Sequence, residues 1–248
     1  MNVLLLNASP KRITSASKYF LGLLGLHLRG CKQIKLHLSG SAMFTKVFDS
    51  FSDIDVLVIA LPVYVDGVPA SVLRFLEESE QFINENNCRF KLYVISNCGF
   101  YEGTQCKHLL NIMQNFCVKT GLTWGGGIGI GAGEMLSVLR IMPLFTLLTL
   151  IFSVPPVLIA GASFLGAIIT AAVLFSVFLL LSSRLFLSVK KLGKAIRHSA
   201  ITQNFYTGLT LCPRFVFIIL SNMYFIVRAS LLGCGFWEMY KKIARCQT

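Results

Sequence analysis

Apolar and polar positions alternate in a repeating order along the first 135 residues. Val3-Leu4-Leu5-Leu6 is an unbroken apolar run, too short for a helix and the right length for a buried strand. The polar loop Asn7–Ser17 follows, and then Phe20, Leu23, Leu24 and Leu28 recur at helical spacing. Residues 32–38 alternate in the manner of an edge strand with one wet face, and 39–52 read as a connection. Asp55–Leu61 is a continuous branched aliphatic run, the mark of a strand buried on both faces, and Pro62 closes it. Pro69 suits the first turn of a helix carrying Val72, Leu73, Phe75 and Leu76. Phe90–Ser96 repeats the strand, Asn97–Thr104 the polar loop, and Leu109, Ile112, Met113 and Phe116 the helical face. A glycine-rich fifth strand spans 123–134; Gly125 to Gly127 read as packing positions, while Gly131 and Gly133 fit either packing or close ligand approach. The order β-α-β-β-α-β-α-β predicts an α/β fold with a doubly wound parallel sheet and three strand-end loops on one edge.

Beyond Arg140 the pattern changes. From Ile141 to Ser183 there is no charged residue and no histidine, with Arg140 and Arg184 at the ends. One span needs about 20 apolar residues, so this stretch predicts a transmembrane helical hairpin, turning at Ser153–Pro156 or at Gly161–Ser163. Arg184–His198 then intersperses Lys190, Lys191, Lys194 and Arg197 with aliphatic residues, as an interfacial helix does. Phe215–Val227 reads as a last helix covering the sheet, with a third membrane segment as the alternative. The expected organisation is a domain at 1–140, a hairpin at 141–183, and a basic segment at 184–248 that returns to the first domain.

Composition agrees with a bilayer partner. Charged residues make up 14% of the 248, against about 25% in soluble domains. The net charge of +12 is uneven: residues 1–140 hold 13 Lys/Arg against 10 Asp/Glu, and residues 141–248 hold 10 against one, Glu238. Basic flanks beside an apolar run favour the anionic cytoplasmic face of a membrane, and no nucleic-acid module is legible. The expected location is therefore the cell membrane, with the first domain on the cytoplasmic side. None of the eight cysteines forms a CxxC pair or keeps zinc spacing with the histidines, so no metal is expected. The chain opens directly on its first strand without a leader pattern, so the thiols are expected to be reduced, in the cytosol.

The candidate chemistry lies in the loops. Asn7–Ser17 is dense in hydroxyls, carries Lys11 and Arg12, and leads into a helix whose first N–H groups lack intrahelical partners, an arrangement suited to phosphate. The plainer reading makes Ser15 or Ser17 an N-cap and Pro10 a turn residue. Pro62–Ala70 places Tyr64 where an aromatic covers a planar ring or simply packs. Glu102 and His108 are candidate proton partners, or solvated helix residues.

Three loops in register carry a resemblance. Ser9-Pro10-Lys11 with Ser15 and Ser17, Pro62-Val63-Tyr64 with Gly67, and Asn97-Cys98-Gly99-Phe100-Tyr101-Glu102 resemble the flavodoxin-like NAD(P)H-dependent FMN reductases and their quinone-reductase and iron–sulfur flavoprotein relatives. The glycine-rich fifth strand and Cys212-Pro213-Arg214 add to it, so coverage is 1 to about 135 with continuation over 212–235. The resemblance implies a five-stranded sheet in the order 2-1-3-4-5 and an FMN cofactor. Ser9, Lys11, Arg12, Ser15, Ala16 and Ser17 would bind its phosphate. Pro62, Val63, Tyr64 and Val65 would border the ring on one side, and Asn97, Gly99, Phe100 and Tyr101 on the other. Ala8 stands where glycine is frequent, Lys11 where arginine is usual, and the cluster cysteines of the iron–sulfur branch are missing. The implied activity is hydride transfer from NAD(P)H through FMN to a quinone, a flavin or a similar small-molecule acceptor, in a homodimer. In such enzymes the flavin does the redox chemistry, so no catalytic acid–base pair is expected. The alternative is a flavodoxin-like electron carrier or membrane scaffold without turnover of its own.

Overall fold

The structure is a computed structural model that describes residues 1–11, 15–133, 164–209, 213–231 and 233. It divides into two compact units, Met1–Thr210 and Leu211–Thr248. The first is built on one sheet of β1 (Asn2–Asn7), β2 (Lys32–His37), β3 (Val56–Pro62), β4 (Lys91–Asn97), β5 (Thr123–Ile130) and β6 (Phe205–Thr207). Its helices are α1 (Ala16–Leu26), α2 (Ala42–Phe48), α3 (Ala70–Asn86), α4 (Lys107–Thr120) and α5 (Phe164–Arg197), with a 3-10 turn at Gly103–Cys106. The described helix of the second unit is α6 (Arg214–Leu231), which contains the helix expected at 215–227.

Every neighbouring pair of strands is parallel, and the order is 2-1-3-4-5-6. The five-stranded expectation is thus corrected to six strands, with β6 added outside β5. Phe205-Tyr206-Thr207 is too short to show an alternation, and it reaches the sheet only through register with Ile128, Gly129 and Ile130. Residues 39–52 are likewise more than a connection: α2 buries Phe44 and Val47.

Strand alternation sorts the core into two layers. Leu4, Leu6, Leu57, Ile59, Leu92 and Val94 join Phe44, Phe75, Ile83, Leu109 and Met113 in one apolar cluster with α2, α3 and α4. On the opposite face Leu5 approaches α1 at Gly25, and Tyr93 packs its ring on Gly125 and donates its hydroxyl to the Ala200 carbonyl at 2.8 Å.

The second half of α5 also covers that face. Leu185, Val189, Leu192, Ala195 and Ile196 are buried, and the helix packs on α1 and β5. Lys190, Lys194 and Arg197 point outward. The expected interfacial helix at 184–198 is therefore a sheet-covering helix, because an apolar stripe with cations opposite serves a sheet as well as a lipid surface. It is also continuous with residues 164–183, the second arm of the expected hairpin. Residues 141–163, which hold the first arm and both candidate turns, lie outside the described residues, as does Arg140. Among the described residues no helix is long and apolar enough to cross a membrane.

Glycines at two positions have opposite surroundings. A Cβ on Gly125 would fall 2.4 Å from the fully buried Tyr93 ring, whereas one on Gly22 meets nothing within 4 Å. Gly125→Ala should therefore cost about 1–3 kcal/mol of stability, as overpacked core positions do. Gly22→Ala, inside α1, should gain about 0.5–1 kcal/mol from helix propensity. Denaturant unfolding of the two variants checks this, and coincident midpoints would contradict the packing described.

Candidate functional site

Loops after β1, β3 and β4 share the carboxyl edge of the sheet, and Asn97 ties them. Pro62, the last residue of β3, stands in register with Asn97, the last residue of β4. The Asn97 carbonyl accepts the Val63 N–H at 2.8 Å, and its side-chain Oδ1 accepts the Ser17 hydroxyl at 2.9 Å. One residue thus joins all three loops, and it is itself buried.

The first loop is braced from inside. Ser9 donates its N–H to Asn7 Oδ1 at 3.2 Å, and its hydroxyl oxygen accepts the Lys11 N–H at 3.4 Å. Ser15 is the N-cap of α1, with extended backbone, and its Oγ accepts the Lys18 N–H at 3.1 Å. Both the cap reading and the anion reading of this loop therefore apply to one residue: Ser15 accepts with a lone pair and keeps its O–H to donate. Ser17 differs, since its single O–H is committed to Asn97. What Ser17 and Ala16 offer an anion is the N–H groups of the first helical turn, which have no acceptor within the helix. Lys11 is exposed, and Arg12 lies outside the described residues.

The second loop is a tight turn. Tyr64 and Gly67 exchange N–H···O bonds of 3.1 and 3.0 Å, and Val65 and Asp66 between them hold φ of 48° and 57°. Two positive φ values at the centre define a type I′ turn. A β-branched residue such as Val65 is strained there, and strain of this kind clusters at ligand-contacting loops. Val65 is fully exposed and Tyr64 is 42% exposed, so the turn presents both side chains outward, while Val63 packs on the core.

The third loop is held by backbone that only glycine permits. The Phe100 and Cys98 carbonyls accept N–H bonds from Ala132 at 2.6 Å and Gly133 at 2.7 Å. A Cβ on Gly131 would sit 2.4 Å from the Tyr101 carbonyl, and one on Gly103 2.4 Å from the carbonyls of Gly129 and Thr207. Gly131 and Gly133 thus let the chain after β5 close on this loop. Gly99 and Phe100 remain exposed, the latter at 61%, and Tyr101 is half-buried. Glu102 and His108 are both exposed, so neither faces an enclosed site. Asn7, Gly103 and Thr207 were not singled out by sequence. Only Asn7 carried a signal, as a polar residue ending an apolar strand.

Two buried thiols lie beneath the third loop. Cys98 bonds the Glu102 carbonyl at 3.4 Å, and the Cys106 thiol hydrogen-bonds to it, which lowers the Cys98 pKa against the opposing effect of burial. That same bond, with burial, pushes Cys106 up. No cluster of three or more metal-ligating side chains occurs among the described residues.

No protein-family model and no curated protein matches this sequence. Among solved structures the chain resembles the NAD(P)H:quinone oxidoreductase from Methanothermobacter marburgensis, at 15% identity over 53% of this chain and 84% of that one, with a TM-score of 0.45. It resembles an azoreductase from Bacillus anthracis str. Sterne at 12% identity over 55% and 90%, with a TM-score of 0.40. Rubredoxin oxygen:oxidoreductase from Desulfovibrio gigas matches at 14% identity and a TM-score of 0.40, over 50% of this chain and only 28% of that one. All three scores lie below 0.5, and the functional reading rests on the site's own residues.

Burial without a hydrogen-bond partner raises Cys117 to about 12. A thiol held neutral in the fold and ionised near 9 when unfolded adds stability below pH 9, and loses it as pH rises toward 12. The denaturant midpoint should therefore fall between pH 9 and 11. In the native protein at pH 9, iodoacetamide should label half-exposed Cys31 and spare Cys117. Equal labelling of the two, read by mass spectrometry, would contradict the assignment.

Proposed function

We propose that the chain is an FMN-dependent NAD(P)H oxidoreductase, attached to a membrane and reducing a quinone, flavin or similar acceptor. The observation that carries this reading is the joining of three strand-end loops through Asn97, at the sheet edge where open α/β sheets take ligands. The residues present suit FMN. Ser9 and Ser15 retain O–H donors, Ala16 and Ser17 contribute N–H groups at a helix start, and Lys11 adds positive charge, which together match a phosphate monoester. Tyr64 and Phe100 present exposed rings on the two flanking loops, where an apolar planar group needs cover.

FMN, when bound, supplies a centre that accepts a hydride and passes on electrons. The chain's part is placement. Ser9, Ser15 and the first turn of α1 anchor the phosphate, and Asn97 sets the spacing of the loops. Pro62, Val63, Tyr64 and Val65 border the ring from one loop, and Asn97, Gly99, Phe100 and Tyr101 from the other. Attachment to the membrane is supported by the sequence of 141–183, which holds no charged residue, and by the basic excess that follows it.

The test is anaerobic addition of NADPH or NADH to the full chain, purified in mild detergent and loaded with FMN. The visible flavin bands should bleach within seconds and return when a quinone is added. Bands that persist would reduce the protein to an electron carrier. Alkaline carbonate washing of membranes checks attachment, which predicts retention in the pellet; release into the wash would contradict it.

A further inference from the structure

A second concavity lies on the far side of α1. It holds about 410 Å³ between α1 and β2, with Leu5 and Leu21 as its apolar lining and Lys18 and Lys35 at its border. Among the described residues no carboxylate lines it and neither lysine forms an ion pair. It adjoins the first loop at Asn7 and lies between α1 and β2, away from the loops after β3 and β4. Ser17 turns its hydroxyl toward β4, whereas Lys18, the next residue, faces β2 at the opposite edge of the sheet.

Two further features mark this groove. Gly22 stands in the interior of α1 with nothing within 4 Å of the position a Cβ would take, although alanine would favour the helix. No neighbouring group closes on that position, which lies on the wall of the groove. His37 is the second. Ser9 N–H can only donate, so Asn7 turns Oδ1 to it and Nδ2 to His37 Nδ1, 2.8 Å away. Nδ1 then accepts, which leaves the neutral ring's proton on Nε2, a buried donor without an acceptor. Nε2 has no accessible surface, so His37 belongs to the wall of the groove, and what the border offers a ligand is the positive charge of Lys18 and Lys35.

We propose that this groove binds a small amphipathic oxyanion, a phosphate monoester or carboxylate on an apolar body. Lys18 and Lys35 neutralise the anion, and Leu5 and Leu21 cover the body. The site does not depend on the flavin reading.

The probe is 1-naphthyl phosphate, titrated by its fluorescence into the full chain in mild detergent without FMN. Saturable binding is expected, about tenfold weaker in Lys35→Gln, where a charge-assisted contact is lost, and absent in Gly22→Phe, whose ring fills the groove. Titration of FMN into the same variants reads the flavin loops separately, so failure of the FMN reading is distinguishable. Circular dichroism confirms the fold of Gly22→Phe, and Lys35→Gln is an exposed change that keeps the test independent of it. Competition by short-chain phosphatidic acid at matching potency assigns the anion to a lipid headgroup. Competition by phenyl phosphate alone assigns it to a soluble ligand. The proposal is overturned by absence of saturable binding, by 1-naphthol binding as tightly as its phosphate, or by affinity unchanged in both Lys35→Gln and Gly22→Phe.

Discussion

The candidate site depends on Asn97, which bonds in two directions at once. Its carbonyl holds the backbone after β3 through Val63, and its carboxamide holds the first helix through Ser17, 80 positions earlier. Hydrogen bonds made in a buried setting fix geometry more than they add stability, since folding exchanges them for bonds to water. The strand ends are held by their ladders, with the Ala8 N–H bonded to the Ala60 carbonyl at 2.8 Å, and Asn97 carries that hold on into the loops. Beyond it the loops present side chains outward: Val65 and Phe100 stand in solvent, and Tyr64 is 42% exposed.

Behind this joint the glycines of β5 matter through what they admit. Gly129 and Gly131 let the 3-10 turn, β6 and the third loop approach within backbone contact distance, and a side chain at either would push them off. The loop is thereby shaped from below by strand residues, while its exposed side chains stay available to a ligand. The two buried thiols complete that support, with Cys98 also anchored by its N–H to the Ile130 carbonyl at 2.9 Å.

The elements legible in the sequence were those whose pattern is local. β1, β3 and β4 are continuous aliphatic runs buried on both faces, and α3 and α4 show clear apolar stripes. β6 was not legible, because three residues carry no period and their partner is distant in sequence. α2 was passed over although Phe44, Val47, Phe48 and Phe51 follow helical spacing, since its brevity resembles a loop. The amphipathic end of α5 was legible as a pattern but not as a partner: period and charge are the same whether a stripe meets lipid or a sheet. The loops after β1, β3 and β4 follow the strands that the pattern marks. Which hydroxyl donates outward was not legible, because it depends on contacts between residues far apart, as the Ser17 bond to Asn97 illustrates.

The account therefore stands on whether the joined loops accept a flavin phosphate. The measurement closest to that claim is an equilibrium titration of FMN by the quenching of its fluorescence, with riboflavin beside it as the same ring without phosphate. Saturation at one FMN per chain, with riboflavin bound at least about tenfold more weakly through loss of charge-assisted bonds, is the predicted result. Equal affinity for the two, or no saturable quenching by either, would contradict it.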